Sequence, residues 1–350
     1  MEKKLVASIP LHRYQNIAVT PFAAWQENVG QRIFVINSDS MLEEFCHFPS
    51  PLRSGLRLSK VYWYQYNKII ARVYKENEEK YLICSRNMEN SVFIPADVTY
   101  IPSSICMISE DMFLCNNYVY SFPDNQEIMR IPMENEEDYY VLFCTPLGNA
   151  QYIVVFEEKR GRNYRFKRID IADKTIIHEI QINISGVLTP LGQHEFVCIR
   201  LHPQGVTMHF YDINLKEYKI IDIKEPRCCQ TAVDHTENFI YVFAEGENKI
   251  QKIDYRSGDQ ESISIPEVKS NWLLSKAMNG FLYFMVSKKT MKVFDTNNKK
   301  LYSLTFNNKI IEFEIHNNYV FVLSGADADT DFKTDMLIKE GVIEVHQLIP

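Results

Sequence analysis

Glycine and proline are scarce, at twelve and fourteen of 350 residues, which excludes collagen-like order. With 46% hydrophobic and 13% aromatic residues, the chain has ample core material and is no disordered tail. No stretch approaches the roughly 18 uninterrupted apolar residues that a membrane-crossing helix needs. An excess of positive charge is missing too. Thirty-eight lysines and arginines against forty-five aspartates and glutamates leave a formal charge of −7, which argues against non-specific binding to nucleic acid or anionic lipid. Nor is there a nucleophile elbow, a phosphate-cradling glycine loop or a zinc-protease helix motif.

The N-terminus, MEKKLVASIPLHRYQ, starts with the basic residues of an export signal. Its apolar part, Leu5 to Leu11, is interrupted by Ser8 and Pro10 and runs into His12 and Arg13. A signal core needs about 7–15 apolar residues, so this segment reads as a strand and the expected location is cytoplasmic. Eight reduced cysteines fit that location. Cys84, Cys115, Cys144 and Cys198 each close an apolar, strand-like run and are expected to be small buried thiols.

What the sequence does contain is a beat. Alternating apolar residues run into an aspartate, a short polar turn follows, and alternation resumes. This happens at Asp170, Asp212, Asp254 and Asp295, with gaps of 42, 42 and 41 residues. Looser copies place Asn37, Ser85, Ser121 and His346 at the same point, with outer gaps of 48, 36, 49 and 51. A period near 42 made of short alternating strands is the signature of a four-stranded blade. Residues 229–266 and 271–306 each spell four strands in succession. The carboxylate at the third strand's end suits a hairpin turn, because it reaches backbone N–H groups two residues on.

The expectation is an all-β, single-domain β-propeller over residues 1–350, built of four-stranded antiparallel blades. Repeat count gives eight blades. Seven is the alternative, because Ser40–Glu43 fits a helix capping box and Ser40–Phe48 then reads as a short helix. Lys4–Ile9 is expected to pair with the C-terminal strand and close the last blade. The rhythm resembles the β-propeller repeat superfamily, with its WD40-like and Kelch-like proteins, over most of the chain. No Trp-Asp dipeptide, Gly-His pair or paired-glycine signature accompanies it. The resemblance implies binding of a protein partner and assigns no catalytic residue.

One charged run stands out. In EEKRGRNYRFKR, Lys159, Arg160, Arg162, Arg165, Lys167 and Arg168 place six cations within ten residues, interleaved with Tyr164 and Phe166. Lys159, Arg160, Arg162, Tyr164, Arg165, Lys167 and Arg168 therefore form the candidate partner-binding set, suited to an acidic or phosphorylated element. The bland reading is a solvated hairpin tip, part-neutralised by Glu157 and Glu158.

Asp327, Asp329, Asp331 and Asp335 occupy EF-hand positions 1, 3, 5 and 9, but Phe332 and Ile338 stand where the turn glycine and bidentate glutamate belong. Cys228 and Cys229, with Asp234 and His235 beyond, lack the paired spacing of zinc sites. No metal or cofactor is expected. Tyr62, Tyr64 and Tyr66 alternate along one strand face as packing or a docking patch. His194, His202 and His209 lie close together in sequence. The function expected is a non-enzymatic protein-interaction scaffold. One alternative is a hydrolase- or lyase-type enzyme that acts on a small molecule at the axial channel, assembled from several inner strands. Another is RNA or phosphoinositide binding through the basic hairpin.

Overall fold

The computed structural model describes residues 1–17, 24–27, 32–37, 39–48, 55–76, 78–95, 105–134, 139–158, 163–182, 186–191, 195–224, 229–244, 248–266, 272–325 and 338–349. Among them are only strands, turns and one 3-10 turn at Arg86–Met88, and no helix is long and apolar enough to cross a membrane. They form six four-stranded antiparallel sheets and one seven-stranded sheet. The seven-stranded sheet is two blades that share the long strand Glu2–Ile17.

In chain order, blade 1 takes the end of Glu2–Ile17, then Ala24–Glu27, Arg32–Ile36 and Leu42–His47. Blade 2 is Leu56–Gln65, Lys68–Lys75, Glu78–Ser85 and Ser91–Pro95. Blade 3 is Ile105–Met107, Met112–Cys115, Tyr118–Ser121 and Glu127–Arg130. Blade 4 is Tyr139–Gly148, Gln151–Glu158, Tyr164–Asp170 and Thr175–Ile182. Blade 5 is Val187–Pro190, Glu195–His202, Gly205–Asp212 and Glu217–Lys224. Blade 6 is Cys229–Asp234, Phe239–Ala244, Lys249–Asp254 and Gln260–Ser264. Blade 7 is Leu273–Met278, Phe281–Ser287, Thr290–Asp295 and Lys300–Thr305. Blade 8 is Lys309–His316, Tyr319–Gly325, Ile338–Ile349 and the start of Glu2–Ile17, whose register with Ile338–Ile349 runs from Glu2↔Ile349 to Tyr14↔Ile338.

The second strand of a blade is buried on both faces, because a neighbour packs on each side. In blade 4, Tyr152, Val154 and Phe156 point into the core shared with blade 3, while Ile153 and Val155 point into the core shared with blade 5. Side chains alternate across a strand, so a near-continuous apolar run serves two cores at once. Each hydrophobic cluster spans two adjacent blades, and one joins Phe321, Leu323, Ile343 and Val345 of blade 8 to Phe34 and Ile36 of blade 1. The cores thus run from blade to blade and return to the first. This is a β-propeller.

The third-strand turns behave as their chemistry requires. Oδ1 of Asp212 accepts from the Asn214 and Lys216 amides at 2.8 and 2.9 Å, and Oδ1 of Asp254 from Arg256 and Ser257 at 2.7 and 3.1 Å. Asp295 accepts from Asn297 and Asn298, and Asn37 serves Asp39 and Met41 in the same way. Cys84, Cys115 and Cys198 are buried as free thiols, and Cys144 is half-buried.

Two readings are corrected. Leu42–His47 is a strand paired with Arg32–Ile36, so the capping-box pattern at Ser40 starts no helix; Ser40 instead sits at φ 61° in the turn between the two. Tyr66 is not a strand residue in line with Tyr62 and Tyr64. It lies with Asn67 in the hairpin turn at φ 49° and 58°, and the register slips between Val61 and Trp63, which breaks the alternation at Tyr62. At His346 the strand runs on to Ile349, and the N-terminal strand, Lys4–Ile9 included, pairs with it as the outer partner, as expected.

Candidate functional site

Inner strands face the axis of a propeller, and those of blades 5 to 8 line a cavity of about 370 Å³. Its polar wall carries Thr189, Thr231, Ser275, His235, Lys276 and Glu314. Two of these strands are bulged. In blade 7 the register slips between Leu274 and Lys276, leaving Ser275 as the extra residue, and in blade 8 it slips between Ile310 and Glu312. Bulges re-aim side chains and gather next to functional sites.

Neighbouring walls are pinned together. Oε1 of Gln230, on the inner strand of blade 6, accepts from the Leu274 amide at 2.5 Å, beside the bulge. At the far end, the buried Asp234 accepts from the Gly280 amide at 2.8 Å, and the Thr236 hydroxyl accepts from the Asn279 amide at 2.9 Å. Within the cavity, Lys276 of blade 7 is ion-paired to Oε2 of Glu314 of blade 8, and Oε1 of Glu314 accepts from the Ile315 amide at 3.1 Å. Both side chains stay partly solvated, at 33% and 26% exposure. Desolvation lowers the His235 pKa from its usual 6.5, against the opposing pull of Asp234, which favours the neutral imidazole.

Antiparallel order puts the outer-to-inner connections and the second-to-third-strand hairpins on one face of the propeller. Glu158 and Asn163 close the blade 4 hairpin on that face: the Glu158 amide donates to Asn163 O at 3.0 Å, and Asn163 Nδ2 to Glu158 Oε2 at 2.6 Å. Lys159, Arg160 and Arg162 lie between them in sequence, outside the described residues. Of the other four members of the candidate set, Tyr164, Lys167 and Arg168 reach beyond blade 4, and Arg165 contacts Tyr139 and Glu179 within it. Tyr164 is buried, its hydroxyl donating to Gly186 O at 2.5 Å, and burial followed by the Glu157 charge pushes its pKa up to about 12. Arg165 lies 5.0 Å above the Tyr139 ring and within 3.5 Å of Glu179. Lys167, 2% exposed, donates to Glu179 Oε2 at 2.9 Å and to Pro132 O, just past the outer strand of blade 3. Arg168 reaches Gln151 at 2.8 Å and Asn214 of blade 5 at 2.9 Å.

The remaining sequence candidates do not converge. His202 contacts Thr207 at 3.2 Å and His209 contacts Glu217 at 2.8 Å, on different strands, and His194 lies outside the described residues. Asp327 to Asp335 and Cys228 also lie outside them. Among the described residues no cluster of three His, Cys, Asp or Glu side chains is arranged to hold a metal ion. The axial cavity escaped the sequence reading because its lining is drawn from four blades between Val187 and Ile315. The bulges that turn those side chains inward leave no mark in the residue pattern.

No protein-family model matches the sequence, nor does any curated protein. Solved structures do. The Dos1 propeller is similar with a TM-score of 0.57 at 11% identity, covering 99% of this chain and 95% of that one. Sqt1 of Saccharomyces cerevisiae gives 0.57 at 8% identity over all of both chains. BamB of Moraxella catarrhalis gives 0.52 at 9%, over 99% and 98%. At these identities the likeness establishes the β-propeller fold alone.

Proposed function

We propose that this chain is a non-enzymatic, cytoplasmic scaffold that holds a protein partner on the face bearing the blade-to-blade connections. The observation that carries the reading is the placement of Val187 and Leu273. Each begins an inner strand on that face, and they are 61% and 56% exposed, among the most exposed large apolar side chains described. Leu201, at the same-face end of its strand, is 48% exposed. Exposed aliphatic side chains around a rim are what a protein partner covers. The basic hairpin adds the polar part of the contact, with Tyr164, Arg165, Lys167 and Arg168 holding its base and Lys159, Arg160 and Arg162 meeting acidic or phosphorylated groups on the partner.

Ionisable groups around the axis support binding over catalysis. Glu314 is held by Lys276, and Asp234 by backbone amides, which leaves His235 without a free carboxylate to work with. Among the described residues that line the cavity, the enzymatic reading draws on His235. The test is affinity capture from native cells with the wild type and a Val187→Asp/Leu273→Asp double variant. A specific partner recovered by the first and lost by the second, at equal melting temperature, is the expected result. Equal recovery by both would remove this rim from the account.

A further inference from the structure

We infer that the axial cavity binds a small zwitterion of dipeptide size, whose carboxylate takes Lys276 and whose ammonium takes Glu314. The inference is separate from the protein-partner reading: it rests on the Lys276–Glu314 part of the channel wall, and of the two rim residues only Val187 also lines the cavity.

Among the described residues, the charges lining the cavity are one cation and one anion facing each other across the boundary between blades 7 and 8, with His235 also in the lining. A phosphate ester would gain one lysine and meet Glu314. A divalent cation would gain one carboxylate and meet Lys276. A ligand carrying both charges at opposite ends avoids either conflict: it opens the existing pair and replaces it with two. The partial exposure of both side chains makes them reachable from the cavity, and their partial burial strengthens each new charge-assisted bond relative to water.

The rest of the wall suits the middle of such a molecule. Thr189, Thr231 and Ser275 offer hydroxyls that both donate and accept, which matches an amide bond. Ala277, Met278 and Ile315 offer apolar surface for short side chains, and among the described residues the lining has no Phe, Tyr or Trp ring to stack a sugar or a nucleobase. A volume of about 370 Å³ lies at the small end of the ~300–1,000 Å³ of ordinary ligand sites. The Gln230–Leu274 bond and the Asp234–Gly280 bond fix the two walls before anything enters, so little ordering opposes binding.

The experiment is calorimetric titration of the full chain with L-alanyl-L-alanine and L-alanyl-L-leucine, each also tested N-acetylated and C-amidated. Binding of at least one free dipeptide is expected, weakened at least about tenfold by either cap. Lys276→Met and Glu314→Gln should each weaken it by a similar factor. If those variants fail to fold, Ser275→Ala, in the bulge and outside any core cluster, should still weaken binding severalfold. The inference is overturned if neither dipeptide binds, if capped and free forms bind alike, or if the variants bind as the wild type does. Partner capture through the rim is a separate readout, so failure of one reading leaves the other decidable.

Discussion

Asp234 and Gly280 are bonded across the boundary between blades 6 and 7: the buried carboxylate accepts from the Gly280 amide at 2.8 Å while its other oxygen takes Thr236 and Glu237. Position 280 favours glycine chiefly through its backbone, and a side chain there would also push Asn297 aside. Its φ is +75°, and a Cβ there would lie 2.9 Å from Asn297 Nδ2.

Removal of the Asp234 carboxylate leaves the buried Gly280 amide without an acceptor, whereas the amides of Thr236 and Glu237 are only part-buried and can hydrate. An orphaned buried donor costs about 1–3 kcal/mol, and the loss of bonds to a charged acceptor adds to it. Asp234→Ala is therefore expected to lower the unfolding free energy by about 2–4 kcal/mol in urea. Asp254→Ala, at an exposed turn where water replaces the carboxylate, should cost about 1 kcal/mol or less. Equal costs would mean that the contact between blades contributes nothing beyond an ordinary turn.

The two aspartates also mark where sequence reading succeeds and where it stops. Asp254 was legible because its partners lie two and three residues on, and a carboxylate at a strand end has one obvious use. Asp234 looked like a stray metal ligand beside Cys228 and Cys229. Its decisive partner, Gly280, is 46 positions away, and only the ring brings them together. The same division explains the blades. Strands in blades 6 and 7 were readable from alternation and turn residues, yet Ser40–Glu43 satisfied a local helix pattern that pairing with Arg32–Ile36 overrode. The axial cavity depends on bulges and on four blades meeting, and neither is written in any one segment.

A second prediction concerns the seam where the chain's ends pair. His346 is buried on the C-terminal strand. Its Nε2 meets Glu344 at 3.1 Å, its Nδ1 has no hydrogen-bond partner among the described residues, and its ring stands edge-on to Phe306 at 5.2 Å. Desolvation lowers its pKa below 6.5; the bond to Glu344 pulls the other way and the nearby Lys3 adds to the lowering. The unfolded chain therefore takes up a proton more readily than the folded one. Stability from this group is complete above about pH 6.5 and is lost as pH falls from there through the folded pKa. His235 and His316 are shifted in the same direction by the same cause, so they contribute to the same slope. His346→Gln should flatten, without abolishing, the fall in unfolding free energy between about pH 7 and pH 5. A slope identical to that of the wild type would show that the seam histidine charges without cost.

The last prediction separates the tip of the basic hairpin from its base. Lys167 is 2% exposed and joins blade 4 to Pro132, just past the outer strand of blade 3, so Lys167→Met should destabilise the fold by about 1–3 kcal/mol through the unpaired carbonyl and the loss of one of the two cations on Glu179. Charge reversal of Lys159, Arg160 and Arg162 to glutamate is expected to leave the melting temperature nearly unchanged and to reduce partner recovery, with the wild-type association weakening as salt is raised. A tip triple variant that melts early would mean these cations serve the fold as Lys167 does. One that melts normally and captures partner as well as the wild type would leave the aliphatic rim of Val187 and Leu273 as the sole contact. The two measurements together therefore separate Lys159, Arg160 and Arg162 from Lys167, which composition alone does not do.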